Sequence, residues 1–115
     1  RRLSTELGDL VERVNQELAP SFRFDYKYDA DGDPNNYYCR SDHYMYARFG
    51  IPIAFFTSGS HRDYHQVTDE PQYIDYDKMA HVSRLVAATA LKVAALDHRV
   101  VVDKPKPDPD APCKQ

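Results

Sequence analysis

The sequence Ile51-Pro52-Ile53-Ala54-Phe55-Phe56 is a continuous apolar run with the length of one β-strand. Because no polar residue alternates with the apolar ones, both faces of such a strand would be buried, as in the centre of a parallel sheet covered by helices. Pro52 suits only the start of the strand, since proline cannot donate a hydrogen bond to a neighbouring strand. The run therefore predicts a layered α/β fold.

The residues before this run predict one helix and a second strand. From Leu3 to Leu18, leucine and valine recur at helical spacing, with Ser4 as the N-cap and Pro20 as the stop. Residues 22–28 alternate aromatic with charged side chains, which is typical of a strand with one buried face. The helix and the strand would pack as neighbouring layers.

Two further helices are predicted on either side of the apolar run. The first extends from Ser41, as its N-cap, to Phe49 and is closed by Gly50. The second is the longest element, capped by Asp75 and extending to about His98. Helices and strands that follow one another in this order favour an α/β arrangement.

The composition is that of a soluble globular protein: 115 residues, 42% of them hydrophobic and 29% charged, with a net charge of −3. The length suits one domain, which we assign to residues 1–103, and the proline-rich residues 104–115 are expected to form an extended tail that cannot join a core. No basic run suggests nucleic-acid binding, and no apolar run reaches the roughly 18 to 20 residues that span a bilayer. Cys39 and Cys113 have no metal-binding spacing, and the sequence leaves open whether they meet.

The loop after the apolar run carries the side chains best suited to chemistry. Ligand sites of α/β proteins collect after the carboxyl ends of strands. Residues 57–69 include His61, Asp63, Tyr64, His65 and Asp69, which offer metal ligands and a phenol that can donate a hydrogen bond to an oxyanion. From the residues alone, an ordinary polar surface loop is an equally good interpretation.

Several short motifs of this chain occur in one order that belongs to a known family. They are Arg40-Ser41-Asp42-His43, Phe49-Gly50-Ile51-Pro52, Phe55-Phe56-Thr57-Ser58-Gly59, Asp63-Tyr64-His65, Asp69, and Ile74-Asp75 before the long helix. In this order the chain resembles the C-terminal part of the M28 family of zinc aminopeptidases. The resemblance covers nearly everything except the proline-rich tail. It implies the C-terminal portion of a three-layer αβα sandwich with a mixed, largely parallel sheet.

The resemblance also implies roles for four side chains beside a pair of zinc ions. His65 matches a zinc ligand, and Tyr64 matches a tyrosine whose hydroxyl stabilises the oxyanion of the tetrahedral intermediate. Arg40 matches an arginine at the substrate end of the cleft, and Asp69 an aspartate that fixes the loop or hydrogen bonds to a group around the metal. A buried aromatic, a surface arginine and a turn carboxylate are the competing interpretations of Tyr64, Arg40 and Asp69. Asp42 and His43 are assigned to structure.

The other zinc ligands and the general base of the family are not found in this sequence, which contains no Glu-Glu pair. The resemblance therefore implies a segment of a zinc aminopeptidase that hydrolyses N-terminal peptide bonds through a metal-activated water. The 115 residues by themselves are expected to bind zinc weakly and to be inactive, because a catalytic zinc needs about three protein ligands. Carboxypeptidase and cyclase activities on the same fold stay open.

A non-catalytic, peptidase-like module for binding or dimerisation is the alternative, since a fold does not establish a function. The expected partners are the N-terminus of a peptide substrate and the remainder of the peptidase domain, with self-association of the isolated chain as a further hypothesis and no nucleic acid. We expect a secreted or periplasmic location, from the family resemblance alone.

Overall fold

The chain is helical in a computed structural model that describes residues 2–114. It forms three α-helices, which are α1 (Thr5–Glu17), α2 (Asp42–Ala47) and α3 (Tyr76–Ala94). Two single turns of 3-10 helix, Lys27–Asp29 and Pro71–Tyr73, lie between them. All three predicted helices are therefore present, and each is a few residues shorter than the sequence pattern suggests. No helix among residues 2–114 has the length and the apolar character needed to cross a bilayer.

A local sequence signal accounts for the start of α1, and a side chain of the helix holds the segment that follows it. The Ser4 hydroxyl accepts a hydrogen bond from the Leu7 backbone N–H at 3.0 Å, which satisfies one of the free donors of the first turn. After the helix, the buried Asn15 side chain bonds to both backbone groups of Phe22, at 2.7 and 2.8 Å. These two bonds fold the following segment back along the helix.

The larger of two apolar clusters joins α1 to α3. Leu10 and Val14 of α1 are buried against Leu85 of α3, whose side chain is 1% exposed. Partly buried apolar side chains surround this contact: Leu18, Phe22, Phe24, Phe56, Ala88, Val93 and Leu96. Asp75 caps α3 as predicted, since its carboxylate accepts from the Lys78 N–H at 2.9 Å. The periodic leucines and valines of the sequence thus face each other across two helices.

The predicted α/β sandwich with a mixed, largely parallel sheet is wrong, because residues 2–114 contain no β-strand. The two segments predicted as strands, 22–28 and 51–56, are irregular apart from the 3-10 turn that begins at Lys27. They pass close to one another, since the rings of Phe24 and Phe56 are 6.4 Å apart, but they form no backbone ladder. An apolar pattern indicates that a segment could be buried in a sheet. A sheet forms only if a second strand also supplies backbone hydrogen bonds, and the pattern of one segment does not show whether it does.

The proline-rich tail lacks helix and strand but is held against the body of the protein. Cys113 forms a disulfide with Cys39. It also packs on a second apolar cluster made of Leu3, Tyr44 and Ala47, so the expectation that the tail joins no core is wrong at this residue. The disulfide closes a loop between residues 74 positions apart, and it ties the tail to the segment that carries Arg40.

The molecule exposes more surface than a self-contained domain of its size. Its accessible surface is 8484 Å², whereas a folded monomer of 13.3 kDa exposes roughly 6,500 Å². The radius of gyration is 15.5 Å, against about 13 Å for a compact domain of this length. Large apolar side chains are among the exposed residues, notably Phe49, Tyr73 and Leu91, which are 65%, 74% and 71% exposed.

Candidate functional site

The loop of residues 57–70 is shaped by its own hydrogen bonds. Consecutive turns form as the Tyr64 N–H donates to the His61 carbonyl at 3.1 Å and the Gln66 N–H to the Asp63 carbonyl at 2.8 Å. The Thr68 hydroxyl donates to Asp63 Oδ1 at 2.6 Å. These bonds explain how a segment without helix or strand keeps Tyr64 and its neighbours in one place.

Tyr64 and His65 stand side by side at the surface of this loop. Their ring centroids are 4.1 Å apart, and Tyr64 is 40% exposed. His65 has a φ of +60°, in the left-handed region that non-glycine residues seldom adopt. Both side chains are therefore accessible to a molecule that approaches the loop.

Arg40 reaches the same place from a distant part of the sequence. Its guanidinium carbon lies 4.1 Å from the centre of the Tyr37 ring and 5.9 Å from the centre of the Tyr64 ring. Both distances are within the range in which a cation is attracted to an aromatic face. The structure thus brings together Arg40, Tyr64 and His65, three of the four residues that the sequence singled out.

Asp69, the fourth predicted residue, approaches His61. The distance from Asp69 Oδ2 to His61 Nε2 is 3.9 Å, and the His61 ring is 6.2 Å from that of Tyr64. The aspartate therefore lies near the site through His61, to which the family resemblance assigned no role. The only signal in the sequence that could have pointed to His61 is its position in the same loop, four residues before His65.

A groove of about 1080 Å³ opens beside the loop. Its walls are mostly apolar and come from α1, α3 and the two irregular segments, and His61, Asp63 and Asp69 line the end nearest the loop. Arg40, Tyr64 and His65 are not among the lining residues of the described chain, so they stand outside the groove. The three side chains thus meet beside the groove and not within it.

The side chains present do not by themselves fit a zinc site. Within residues 2–114, no group of three His, Cys, Asp or Glu side chains is arranged to hold a metal ion. His65 has Tyr64 as its ring neighbour, and the nearby His61 and Asp69 supply a single loose pair. A catalytic zinc requires about three protein ligands, so this arrangement lacks most of a coordination shell.

Asp33 shapes the turn that leads to Arg40. Its buried carboxylate accepts hydrogen bonds from the Asn35 backbone and side chain, at 3.1 and 3.0 Å, and from the Tyr37 N–H at 3.3 Å. Burial alone would raise the pKa of Asp33, but the three hydrogen bonds to the charged form outweigh it and hold the pKa below its ordinary value. Asp33 is thus a charged group that organises the turn between residues 33 and 40.

His43, which the sequence assigned to structure, packs against an aromatic ring. It stacks on Phe55 with the ring centroids 4.2 Å apart and 26° between the planes. Both of its ring nitrogens are buried without a hydrogen-bond partner, which is uncommon for polar atoms inside a protein. The contact joins the start of α2 to the apolar segment 51–56.

Comparison with known proteins gave one match. The model of peptidase family M28 matches residues 3–90, which include all of α1, most of α3 and every predicted site residue. No curated protein and no solved structure matches the chain.

Proposed function

The chain belongs to peptidase family M28, and from that premise we propose that it is a segment of a zinc-dependent aminopeptidase that forms the substrate side of the cleft. The observation that carries this proposal is the meeting of Arg40, Tyr64 and His65 at one surface. These residues come from two different loops, and no shared element of secondary structure forces them together.

In this proposal each of the three side chains has a role that its chemistry permits. The Tyr64 hydroxyl donates a hydrogen bond to the oxygen that becomes negatively charged as the peptide bond is attacked. The Arg40 guanidinium holds the substrate backbone through charge-assisted hydrogen bonds. His65 would be one imidazole ligand of zinc, which would supply the activated water, and Asp69 would help to fix the loop through its approach to His61.

The remaining zinc ligands and the general base belong, in this proposal, to other residues of the whole protein. Two observations support it: the described residues include no set of three metal ligands, and the chain exposes about 2,000 Å² more surface than a monomer of its mass should. The remainder of the peptidase domain is thus the proposed partner of the exposed apolar surface. The isolated 115 residues are inactive.

The first experiment measures zinc binding and peptide hydrolysis by the 115-residue chain. Calorimetric titration with zinc is expected to show binding weaker than micromolar, and leucine p-nitroanilide is expected to stay intact. Stoichiometric zinc binding at micromolar affinity or tighter, abolished by His65→Ala, would overturn the proposal that the ligand set is incomplete.

The second experiment tests Tyr64 in the whole protein. Tyr64→Phe is expected to lower kcat for an N-terminal peptide substrate by roughly 10²- to 10³-fold with a smaller change in KM, as for the loss of one oxyanion donor. Tyr46→Phe is the matched control, because Tyr46 is an exposed tyrosine on α2 at 59% exposure. Equal kcat values for the two variants would contradict the role of Tyr64.

A non-catalytic binding or dimerisation module is the competing function, favoured by the exposed apolar side chains on α2 and α3. Absence of hydrolysis by the whole protein at every terminus of a peptide, together with a dimeric mass in light scattering, would establish the module in place of the enzyme. A monomeric, active protein supports the peptidase.

The disulfide supports a secreted or periplasmic location for the protein. Disulfides persist in oxidising compartments and are rare in the cytosol. Cell fractionation followed by electrophoresis without reductant tests this proposal. Recovery of the protein from the cytosol with both thiols free would contradict it.

A further inference from the structure

Tyr37 lies directly behind the surface where Arg40 and Tyr64 meet. Unlike them it is buried, with 6% of its surface exposed. Its ring is 4.4 Å from that of Tyr28 and 6.4 Å from that of Phe55, so it stands on a packed aromatic base. The Arg40 guanidinium lies over this ring at 4.1 Å.

The Tyr37 hydroxyl connects the same ring to the loop that carries Tyr64. It lies 2.8 Å from Ser60 Oγ, within hydrogen-bond distance. Gly59, next to Ser60, packs closely on Tyr28, since a Cβ at that position would be 3.0 Å from the Tyr28 hydroxyl. The base formed by Tyr28 and Tyr37 therefore holds the beginning of the loop at two adjacent residues.

The backbone of Tyr37 is also held by a hydrogen bond. Its N–H donates to Asp33 Oδ2 at 3.3 Å, and the Arg40 N–H donates to the Asn36 carbonyl at 3.1 Å in the same turn. Tyr37 thus has a backbone anchor on one side, aromatic neighbours behind it and the Arg40 side chain in front.

We propose that Tyr37 is the positioning residue of the site: its ring holds the Arg40 guanidinium, and its hydroxyl holds the loop of Tyr64 through Ser60. The functional meaning of this role rests on the proposed peptidase function, whereas the positioning itself does not. A long arginine side chain at the surface has many rotamers, and a buried ring face beneath its guanidinium selects one group of them. Because one residue contacts both loops, it sets the 5.9 Å separation of Arg40 from the Tyr64 ring.

The test observes the Arg40 side chain directly, by NMR of the ¹⁵N-arginine-labelled 115-residue chain. The Arg40 Nε–H signal, assigned with Arg40→Lys, is expected upfield of the signals of exposed arginines such as Arg13 and Arg84, because the Arg40 guanidinium lies over an aromatic ring. Tyr37→Phe should keep this shift and accelerate amide exchange in residues 59–65, since only the hydroxyl is lost. Tyr37→Leu should abolish the shift.

Tyr44→Leu is the matched control for loss of a buried tyrosine. Tyr44 is 7% exposed and belongs to the cluster with Leu3 and Ala47, so its removal should destabilise the fold and leave the Arg40 signal in place. If Tyr37→Leu does not fold, the wild-type chain and Tyr37→Phe still decide. A wild-type Arg40 signal among those of solvent-exposed arginines, or loss of the shift in Tyr37→Phe, overturns the proposal.

The functional consequence is measured separately in the whole protein. Tyr37→Leu is expected to raise KM by about two- to five-fold, the factor that corresponds to one cation–π contact, and Tyr37→Phe should restore most of it. If the shift of Arg40 behaves as expected while Tyr64→Phe leaves hydrolysis unchanged, the positioning holds and the peptidase role of the loop fails. An unchanged KM in Tyr37→Leu beside a normal effect of Tyr64→Phe overturns the role of Tyr37 in substrate binding.

Discussion

Arg40 and Tyr64 illustrate what can be predicted about individual residues of this protein. Their side-chain chemistry, a guanidinium and a phenol, can be identified from the sequence, and the family resemblance predicts a role for both residues. The residue that positions them cannot be identified in this way, because Tyr37 belongs to none of the motifs and its role depends on contacts with Tyr28, Phe55 and Ser60. Contacts between residues far apart in the chain follow from the fold and leave no local pattern.

Two glycines provide a matched test of packing around the site loop. Gly59 and Gly32 have φ values of +84° and +78°, so alanine is strained at both positions, at a cost of about 1 to 2 kcal/mol. Only at Gly59 would the added Cβ meet a neighbour, the Tyr28 hydroxyl at 3.0 Å; at Gly32 it meets nothing within 4 Å. Urea unfolding should show Gly59→Ala to be the less stable variant.

The comparison of these two variants isolates the contact from the backbone strain. We expect the excess destabilisation of Gly59→Ala to be small, because the tyrosine ring can shift by a few tenths of an ångström. Equal free energies of unfolding for the two variants would show that the loop does not pack on Tyr28.

At the level of elements, the prediction of three helices is confirmed, whereas the prediction of two strands is wrong. The caps Ser4 and Asp75 and the apolar period of α1 and α3 act within one turn of the chain, so the sequence alone contains them. A strand depends on a partner that the pattern of one segment does not identify. Residues 22–28 and 51–56 therefore keep apolar packing against the helices and form no sheet.

Leu85 carries the contact between α1 and α3. Leu85→Ala is expected to reduce the free energy of unfolding by about 2 to 5 kcal/mol, because it removes a fully buried side chain and leaves a cavity. Leu91→Ala on the same helix is the control, since Leu91 is 71% exposed, and it should change stability by less than about 0.5 kcal/mol. Denaturant unfolding followed by helical circular dichroism measures both, and similar losses would disprove the assigned core.

A cluster around His98 joins the first turn of α1 to the segment after α3. His98 Nδ1 and Nε2 lie 2.7 Å from Asp97 Oδ1 and Glu6 Oε1, and Glu6 also accepts from the Val101 N–H. Hydrogen bonds to Asp97 and Glu6 raise the pKa of His98 above its ordinary 6.5. The Val101 N–H and His98 lower the pKa of Glu6 below 4.5, and His98 lowers that of Asp97 below 3.8.

This cluster predicts a stability that depends on pH. The contribution of His98 is complete below pH 6.5 and is lost as the pH rises through its folded pKa. The contribution of Glu6 is present above pH 4.5 and is lost as the pH falls through its folded pKa. The cluster should therefore stabilise the fold most between about pH 4.5 and 6.5. Unfolding of the wild type and of His98→Gln, compared at pH 5.5 and 8.5, checks this; a difference that grows toward pH 8.5 would contradict it.

For the whole molecule, the disulfide compensates in part for a small core. It links residues 74 positions apart, so its removal should cost about 4 kcal/mol through the greater entropy of the unfolded chain. Unfolding in urea with and without a phosphine reductant measures the loss. The Cys39→Ser, Cys113→Ser double variant is the control, since its stability should not respond to reductant. Equal stability of the oxidised and reduced wild type would be inconsistent with this contribution.

The sequence by itself determined the helices, the caps of α1 and α3, and the family, because these depend on neighbouring residues and on motifs in order along the chain. Only the tertiary structure decided three further features: that the apolar segments form no sheet, that Cys39 meets Cys113, and that Tyr37 supports Arg40 beside Tyr64. Each of these features depends on whether residues distant in the sequence contact one another. Such contacts form or do not form as the entire chain packs, so the sequence of one segment does not reveal them.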